Sequence, residues 1–393
     1  MASLRTISSR RLLAGVGGIV VLAVAGVSVG SALQGANPPA PQPLADALHQ
    51  AAVGPKPGGI SADVTFTNNL LSSSGFSGSD PLLTGASGRL WVTSSGDLRL
   101  ELQSSGGGLD SQIVVNPTTI SVYDGSQNTV YRIALPAGTS KAPTQSIDGI
   151  PTVAAIQSKL DELATHLDLS GAIPGAVGGV PSYSVKISPQ HGGGLLGDVQ
   201  LDWDAANGVP LGVSVYSMTD PSTPVLALRV DDISFGPVTS SDVAIGTPAN
   251  AKVVDIPLPA KSVTHSTTAK TPPVTGLSAV QVAVSFPIKA PASVDGLPRR
   301  GVRLVNWEGE KAALVTYGEG LGGIAVLERP AAGSAATSST IGQLPTVSVG
   351  GVTGHELATP LGTIVTFTTG GVNFVVAGSV DQLAAQTAAD ALS

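Results

Sequence analysis

Apolar and polar side chains alternate with a period of two residues in many segments of this chain. In residues 98–102 (LRLEL) leucines alternate with charged residues, and similar alternation occurs at 112–116, 119–122, 183–188, 198–204, 211–215 and 226–230. Successive side chains of a β-strand point to opposite faces of the sheet. The alternation therefore predicts strands that share one apolar face and one solvated face, as in an antiparallel sheet.

Turn and helix signals separate these strands. The Asp-Gly pair at 124–125 and the Asn-Gly pair at 207–208 are typical of hairpin turns, so adjacent strands are expected to follow chain order. Residues 44–53 predict a short helix. Residues 151–168 predict a longer amphipathic helix, because apolar side chains recur there at steps of three and four. We expect its apolar stripe to lie on the apolar face of the sheet. Residues 171–181 (GAIPGAVGGVP), which follow this helix, predict a flexible loop.

The N-terminus predicts export from the cytoplasm. Residues 12–33 carry no charge and follow three arginines. An apolar helix of that length spans the ~30 Å hydrocarbon core of a bilayer. Because positive charge stays inside, residues 1–36 predict a single-pass anchor that places the rest of the chain outside the cytoplasm, at the cell membrane. The alternative is a cleaved signal peptide, with small residues at 28–32 as the cleavage site and a secreted product.

Stretches rich in proline, serine and threonine divide the remaining chain. Residues 37–43 (NPPAPQP) predict a stiff, extended linker, because proline restricts φ and prevents helix. Residues 249–274, which end in KTPPV, predict a second linker. We therefore expect a main domain at 44–248 and a small α+β domain at 275–393.

The second domain shows its own strand and helix signals. The alternating valines of 280–284 predict its first strand. Ser379, followed three residues later by Gln382, predicts a capping box that begins a last helix reaching Leu392. Further strands are predicted at 302–305, 312–317, 323–328, 362–368 and 372–377, and the last two are expected to form a hairpin with a turn at Gly370-Gly371.

Composition and missing motifs exclude several function classes. Charged residues make up only 12% and the net charge is −7, without the clustered lysine and arginine that nucleic acid requires. The chain has no cysteine, which excludes disulfides, thiolate metal sites and a cysteine nucleophile. His355-Glu356 lacks the second histidine of a zinc helix, and no constellation of nucleophile, base and orienting group occurs. We predict no enzyme, no metal and no cofactor.

The predicted apolar face is larger than the predicted helices can cover. Covering roughly a few hundred Å² with an acyl chain, at about 25 cal/mol per Å², stabilises a complex by several kcal/mol before ordering costs. A lipid-binding hollow and a plain structural core are the two open interpretations. The residues expected to line a hollow are Leu90, Val92, Leu98, Leu100, Leu102, Ile113, Val115, Ile120, Val122, Val185, Ile187, Leu201, Trp203, Val213 and Val215 on strands, and Ile156, Leu160 and Leu163 on the longer helix.

A series of strand motifs also suggests a family. A Gly-x-Leu-Trp-Val strand at 88–92 (GRLWV) is followed by an alternating strand at 98–102. A strand at 120–124 (ISVYD) then ends in an aromatic residue before an Asp-Gly turn, and PSYSV at 181–185 fits as well. Over about residues 44–240 the chain resembles the LolA-like lipoprotein-carrier superfamily, which includes the carriers LolA and LppX and the regulator RseB. The resemblance implies an unclosed β-barrel with helices as a lid that holds acyl chains.

Two functions follow from the resemblance and the layout. The first is an extracytoplasmic, membrane-anchored carrier that holds lipid or lipoprotein acyl chains in an apolar half-barrel cavity. The alternative is an RseB-like envelope sensor acting on an anti-sigma factor or another membrane signalling partner, because RseB also has a second, smaller domain. The fold expected is α+β, mainly antiparallel β: an open β half-barrel covered by helices, plus a small C-terminal α+β domain. The alanine- and glycine-rich, lysine-poor composition is typical of GC-rich actinobacteria.

Overall fold

The computed structural model describes residues 36–70, 85–104, 111–135, 151–244, 250–256, 274–307, 309–331 and 344–393. Within these residues the chain forms four helices and 21 strands, which lie in two sheets. The predicted membrane-spanning segment at 12–33 lies outside the described ranges. In the part that is described, no helix is both long and apolar enough to cross a bilayer.

The elements have the following bounds. The helices are α1 (Leu44–Val53), α2 (Val153–Leu163), α3 (Leu277–Ala283) and α4 (Gln382–Asp390). The first sheet contains β1 (Gly59–Asn68), β2 (Ala86–Thr93), β3 (Leu98–Gln103), β4 (Ser111–Val115), β5 (Thr119–Asp124), β6 (Thr129–Ala134), β7 (Leu167–Leu169), β8 (Ile173–Val177), β9 (Val180–Pro189), β10 (Leu196–Asp204), β11 (Pro210–Ser217), β12 (Pro224–Phe235) and β13 (Lys252–Ile256). The second contains β14 (Ser293–Val294), β15 (Leu297–Trp307), β16 (Glu310–Tyr317), β17 (Ile324–Pro330), β18 (Thr346–Val349), β19 (Val352–Thr359), β20 (Gly362–Thr369) and β21 (Val372–Gly378).

The first sheet is an antiparallel meander with one parallel strand at its edge. Its order is β13-β6-β5-β4-β3-β2-β1-β12-β11-β10-β9-β7, and β8 pairs with β9. Strand β13 runs parallel to β6. Among the described residues the end strands β13 and β7 do not pair with each other, so the sheet stays open. The predicted fold, mainly antiparallel α+β with an open half-barrel, is confirmed.

Strand register places the alternating apolar residues in rows on one face. Leu90 on β2 pairs with Ala62 on β1 and with Leu100 on β3. Leu100 pairs with Ile113 on β4, which pairs with Val122 on β5. All five belong to one apolar cluster. The apolar face is therefore built from contacts across strands, the usual source of sheet stability.

The sheet curves around this face at β1 and β2. The pairing of β1 with β12 shifts register between Asp63 and Val64. Such a bulge bends a strand and increases its twist. Gly88 on β2 has no room for a side chain, because a Cβ there would overlap the backbone of Glu101 on β3. The glycine thus lets two strands approach closely where the sheet bends.

The helices cover the apolar face differently from the prediction. Ala47 and Ala51 of α1 pack on Tyr183 and Trp203, at the β9–β10 end of the face. Helix α2 packs mainly on α1, and each of its residues is at least partly exposed. The expectation that the stripe of α2 lies on the sheet is therefore wrong. The reason is that α1 already occupies the sheet surface that α2 would need.

Two segments predicted as loop or linker contain strands of the first sheet. Residues 173–177, expected in a loop, form β8, and positive φ angles at Gly178 and Gly179 make the tight turn into β9. Residues 252–256, expected in the linker at 249–274, form β13 because Val254 and Ile256 pack on the apolar cluster beside β6. The predicted domain bounds otherwise stay a prediction.

The second sheet has the order β14-β15-β16-β17-β21-β20-β19-β18 and encloses its own core. The predicted hairpin formed by β20 and β21 turns at Gly370-Gly371, and both glycines have positive φ. The strand predicted from the valines of 280–284 is wrong: Val280 and Val282 lie in helix α3, and Val284 follows the helix in an extended conformation. Val280 is fully buried and Val282 is 89% exposed. A short helix can be held to the core by a single buried valine. Alternation over only three valines therefore does not distinguish a helix from a strand.

The last helix begins at a different residue from the one predicted. Its N-cap is Asp381, whose carboxylate accepts a hydrogen bond from the Ala384 amide at 2.8 Å. Ser379, the predicted cap, instead donates to the Leu361 carbonyl at 2.8 Å and accepts from the Leu195 amide at 3.0 Å. The hydroxyl of Ser379 is therefore used in hydrogen bonds to Leu361 and Leu195, and Asp381 serves as the N-cap of the helix.

The two sheets meet at the glycine-rich loop between β9 and β10. The Gly322 amide donates to the Gly192 carbonyl at 2.6 Å, and the Leu195 amide donates to the Ser379 carbonyl at 3.0 Å. Gly194 has a φ of +62°, and a Cβ there would overlap the Ser379 carbonyl oxygen. Only glycine allows the two backbones to approach this closely.

Candidate functional site

The most distinctive surface of the first sheet is an apolar cavity of about 110 Å³. It lies on the curved apolar face, where β1, β2, β3 and β12 lie side by side. Its lining residues are Ile60, Ala62, Leu90, Val92, Leu98, Leu100, Val209, Pro210, Leu228, Val230 and Ile233.

The floor of the cavity is formed by rows of paired residues on three strands. Ile60 on β1 pairs with Val92 on β2, and Val92 pairs with Leu98 on β3. The next row is Ala62, Leu90 and Leu100. Leu98 and Leu100 are 4% and 2% exposed, so neighbouring residues already cover most of their surface. Leu90 and Val92 are only partly buried and present free surface to the cavity.

The turn between β10 and β11 forms one wall. Asp204 accepts hydrogen bonds from the amides of Ala206 and Asn207 at 2.7 and 3.0 Å, and the Asn207 side chain accepts from the Val209 amide at 2.8 Å. These bonds satisfy the turn's own backbone. The turn can therefore present Val209 and Pro210 to the cavity without exposing an unpaired polar group.

The chemistry of the cavity is uniform. All eleven lining side chains are apolar, and all but proline are aliphatic. A ligand would be held by burial of apolar surface, which is not directional. An engineered apolar cavity of about 150 Å³ stays dry and binds benzene. A cavity of about 110 Å³ is therefore of the size that takes a small apolar group or the end of a flexible chain.

Beside the cavity, the same apolar face is sealed by α1. Tyr183 and Trp203 lie under the helix with their ring centroids 6.1 Å apart. The Tyr183 hydroxyl donates to the carbonyl of Ala40 at 2.5 Å, so the segment before α1 is also attached to the sheet. Burial raises the pKa of Tyr183.

The opposite face of the sheet is polar. The Trp91 ring lies between two arginines, with the guanidinium carbons of Arg89 and Arg99 at 5.8 and 5.4 Å from its centroid. Arg89 forms an ion pair with Asp63 at 3.0 Å, and Arg99 pairs with Glu101. The predicted division into one apolar and one polar face is therefore present at the cavity.

The structure brings only part of the predicted lining set to the cavity. Four of the predicted residues line it: Leu90, Val92, Leu98 and Leu100. Five more belong to the same apolar cluster but do not line the cavity: Leu102, Ile113, Val115, Ile120 and Val122.

The other predicted lining residues lie elsewhere. Val213 and Val215 are partly buried on β11, paired with Leu228 and Leu226 of β12. Ile156, Leu160 and Leu163 lie on α2, away from the cavity, because α2 packs on α1. Four residues lie in the cluster under α1: Val185, Ile187, Leu201 and Trp203.

Several lining residues were missed from the sequence. Ile60 and Ala62 belong to an alternating segment at 60–66 that would have revealed them, and Leu228 and Val230 lie in a predicted strand. Val209 and Pro210 follow the Asn-Gly turn, and no local pattern indicates that this turn folds over the sheet.

Comparison with protein-family models and with curated proteins finds no match. The structure is similar to a chain of the MucA/MucB complex of Pseudomonas aeruginosa, with a TM-score of 0.42, 15% identity, and coverage of 89% of this chain and 97% of that chain. It is also similar to a LolA superfamily protein from Nitrosomonas europaea, with a TM-score of 0.22, 10% identity, and coverage of 52% and 98%.

Proposed function

We propose that the protein is an extracytoplasmic carrier at the cell membrane that binds acyl chains of a lipid or lipoprotein by the chain end. The observation that supports this proposal is the cavity on the open sheet, lined by apolar side chains alone. An acyl chain presents matching chemistry at its methyl end and needs no hydrogen-bond partner there.

The size of the cavity limits how much of a chain enters. Each buried methylene contributes about 0.8 kcal/mol. A chain end of about four carbons would therefore gain about 3 kcal/mol from burial, before the cost of ordering it. We infer a ligand that is held loosely enough to be passed on, as a carrier requires.

A titration with carbon-14-labelled palmitate, whose methyl end is unmodified, tests the proposal on the delipidated full chain. Ala62→Leu places three extra carbons in the cavity, and we expect it to weaken binding about tenfold, because volume in the site is lost. Ser61→Leu is the matched control. It makes a similar change on the adjacent residue, which points to the polar face. Absence of binding by the unmodified chain, or equal binding by Ala62→Leu, would contradict the proposal.

The second candidate is a sensor that regulates a membrane signalling partner such as an anti-sigma factor. The two-sheet layout after a predicted single membrane pass favours it. In this case crosslinking in membranes should capture one defined partner. Ala62→Leu should then leave that capture unchanged while Gly194→Ala, at the contact between the sheets, reduces it.

A further inference from the structure

A carboxyl group lies inside the apolar core of the second sheet. Glu328 on β17 is 0% exposed. Its cross-strand neighbours are Ala313 on β16 and Phe374 on β21, both fully buried core residues. The glutamate therefore points to the core face, where an isolated carboxylate cannot be solvated.

The carboxyl group is only half satisfied by hydrogen bonds. Its Oε2 accepts from the backbone amide of Lys289 at 2.8 Å. Its Oε1 is buried and has no hydrogen-bond partner among the residues that the structure describes, and the same holds for the hydroxyl of Tyr317 on β16. Buried polar atoms without partners are uncommon in folded proteins and call for an explanation.

The segment that reaches Glu328 is a short cover over the core, here named the strap, residues 286–291 between α3 and β14. Gln281 of α3 holds its first half: the Gln281 amide donates to the Phe286 carbonyl at 2.8 Å, and its oxygen accepts from the Ile288 amide at 2.9 Å. Arg299 donates to the Ala290 carbonyl at the other end. The bond to Glu328 lies between these two attachments.

Three charged or titratable side chains face this site. They are Lys289 on the strap, Tyr317 on β16, and Arg299 on β15. Burial is the largest influence and raises the pKa of Glu328 to about 7. The hydrogen bond from the Lys289 backbone amide and the positive charge of the Lys289 side chain both lower this pKa. Burial, and then the negative charge of Glu328, raise the pKa of Tyr317 to about 12.

We propose that the strap is a pH-responsive cover of the second sheet, closed while Glu328 is protonated and released as Glu328 ionises. The geometry carries this step. A neutral carboxyl group can accept from the Lys289 amide and remain in the apolar core, whereas a carboxylate places a negative charge there with only one of its oxygens hydrogen-bonded. Lifting the strap brings water to that oxygen.

The direction follows from proton binding. With the strap open, Glu328 is exposed to water and its pKa returns towards the ordinary value of about 4.5. The closed state then binds more protons than the open state at pH values between that value and about 7. Rising pH therefore favours the open state.

Hydrogen exchange of the strap amides of Ile288, Lys289 and Ala290 in the full chain measures the opening. Expressed as protection factors, the rates no longer contain the intrinsic pH dependence of exchange. Between pH 6 and pH 8 we expect protection to fall about tenfold. Equal protection at both pH values would overturn the proposal.

Two variants separate the role of Glu328 from a general pH effect. Glu328→Gln should remove the fall in protection, because an amide does not ionise. Glu356→Gln is the control: Glu356 is also buried, but the side-chain amides of Gln382 and Gln386 satisfy it, so the fall should persist. If the fall persists in Glu328→Gln, another group is responsible and the proposal is wrong.

A measurement on the unmodified chain keeps the test independent of whether Glu328→Gln folds. The carbon-13 shift of the Glu328 carboxyl group should titrate with a midpoint near 7. A midpoint near the ordinary value of about 4.5 would show a solvated carboxyl group and overturn the proposal.

Discussion

Leu90 on β2 lies directly opposite Leu100 on β3, and both side chains line the apolar cavity. The pairing depends on register. Because side chains alternate between faces, a slip of one residue would bring Arg99 or Glu101 to the cavity in place of Leu100. The register of this strand pair therefore determines whether the site is apolar at all.

The first prediction concerns the cavity floor. Leu100→Ala should lower the free energy of unfolding by about 2–5 kcal/mol, because it removes buried methyl groups and enlarges the cavity. Urea denaturation measures the loss. Leu383→Ala is the control, since Leu383 is 74% exposed on α4 and its truncation should change stability by less than about 0.5 kcal/mol. Similar losses for both variants would contradict the packing described for β3.

The second prediction concerns the contact between the sheets. Gly194→Ala should destabilise the chain by about 1–3 kcal/mol more than Gly96→Ala. Both glycines have positive φ, so both substitutions cost backbone strain of similar size. Only at Gly194 does the new Cβ also overlap a neighbour, the Ser379 carbonyl, because Gly96 has open space around it. Equal unfolding free energies for the two variants would show that the loop does not dock there.

The third prediction concerns the start of α4. Asp381→Ala should destabilise the chain by about 1 kcal/mol, because the amide of Ala384 loses its cap. Asp381→Asn should retain most of the stability, since an amide oxygen can accept the same bond. Thermal unfolding distinguishes the two. A larger effect of Asp381→Asn than of Asp381→Ala would be incompatible with a capping role.

The fourth prediction concerns the pH dependence of stability. The pKa of Glu328 is raised to about 7 in the folded state. The folded chain therefore holds a proton that the unfolded chain releases near pH 4.5, and stability falls as pH rises between these values, then levels off. The fall attributable to Glu328 is at most about 3 kcal/mol. It is measured as the difference between the unmodified chain and Glu328→Gln across pH. We expect the unmodified chain to gain stability relative to Glu328→Gln on acidification from pH 8 to pH 5, and a relative loss of stability would contradict the predicted sign.

The local sequence was enough to predict most strands of the first sheet and the apolar face of each, although not β8 or β13. Leu98, Leu100 and Leu102 alternate with charged residues, and this local pattern is enough to assign faces because a strand has only two. The Asn-Gly and Gly-Gly pairs likewise predicted their turns, since few other residues accept positive φ. The bounds of α1 also followed from its own residues.

Which part of the apolar face stays open depends on packing between distant segments and could not be predicted from local patterns. The face of a residue is set within its own strand, but the helix that covers it depends on packing between distant segments. Helix α1 fills the space over β9 and β10, so α2 packs on α1 and leaves Leu90 and Val92 partly uncovered. In the same way, the Ser379 hydroxyl accepts a hydrogen bond from the amide of Leu195, which is distant in sequence, and Asp381 caps the last helix. The periodicity of a sequence does not show which of several segments will occupy a given surface or bind a given partner. The cavity remains because α1, and not α2, covers the sheet.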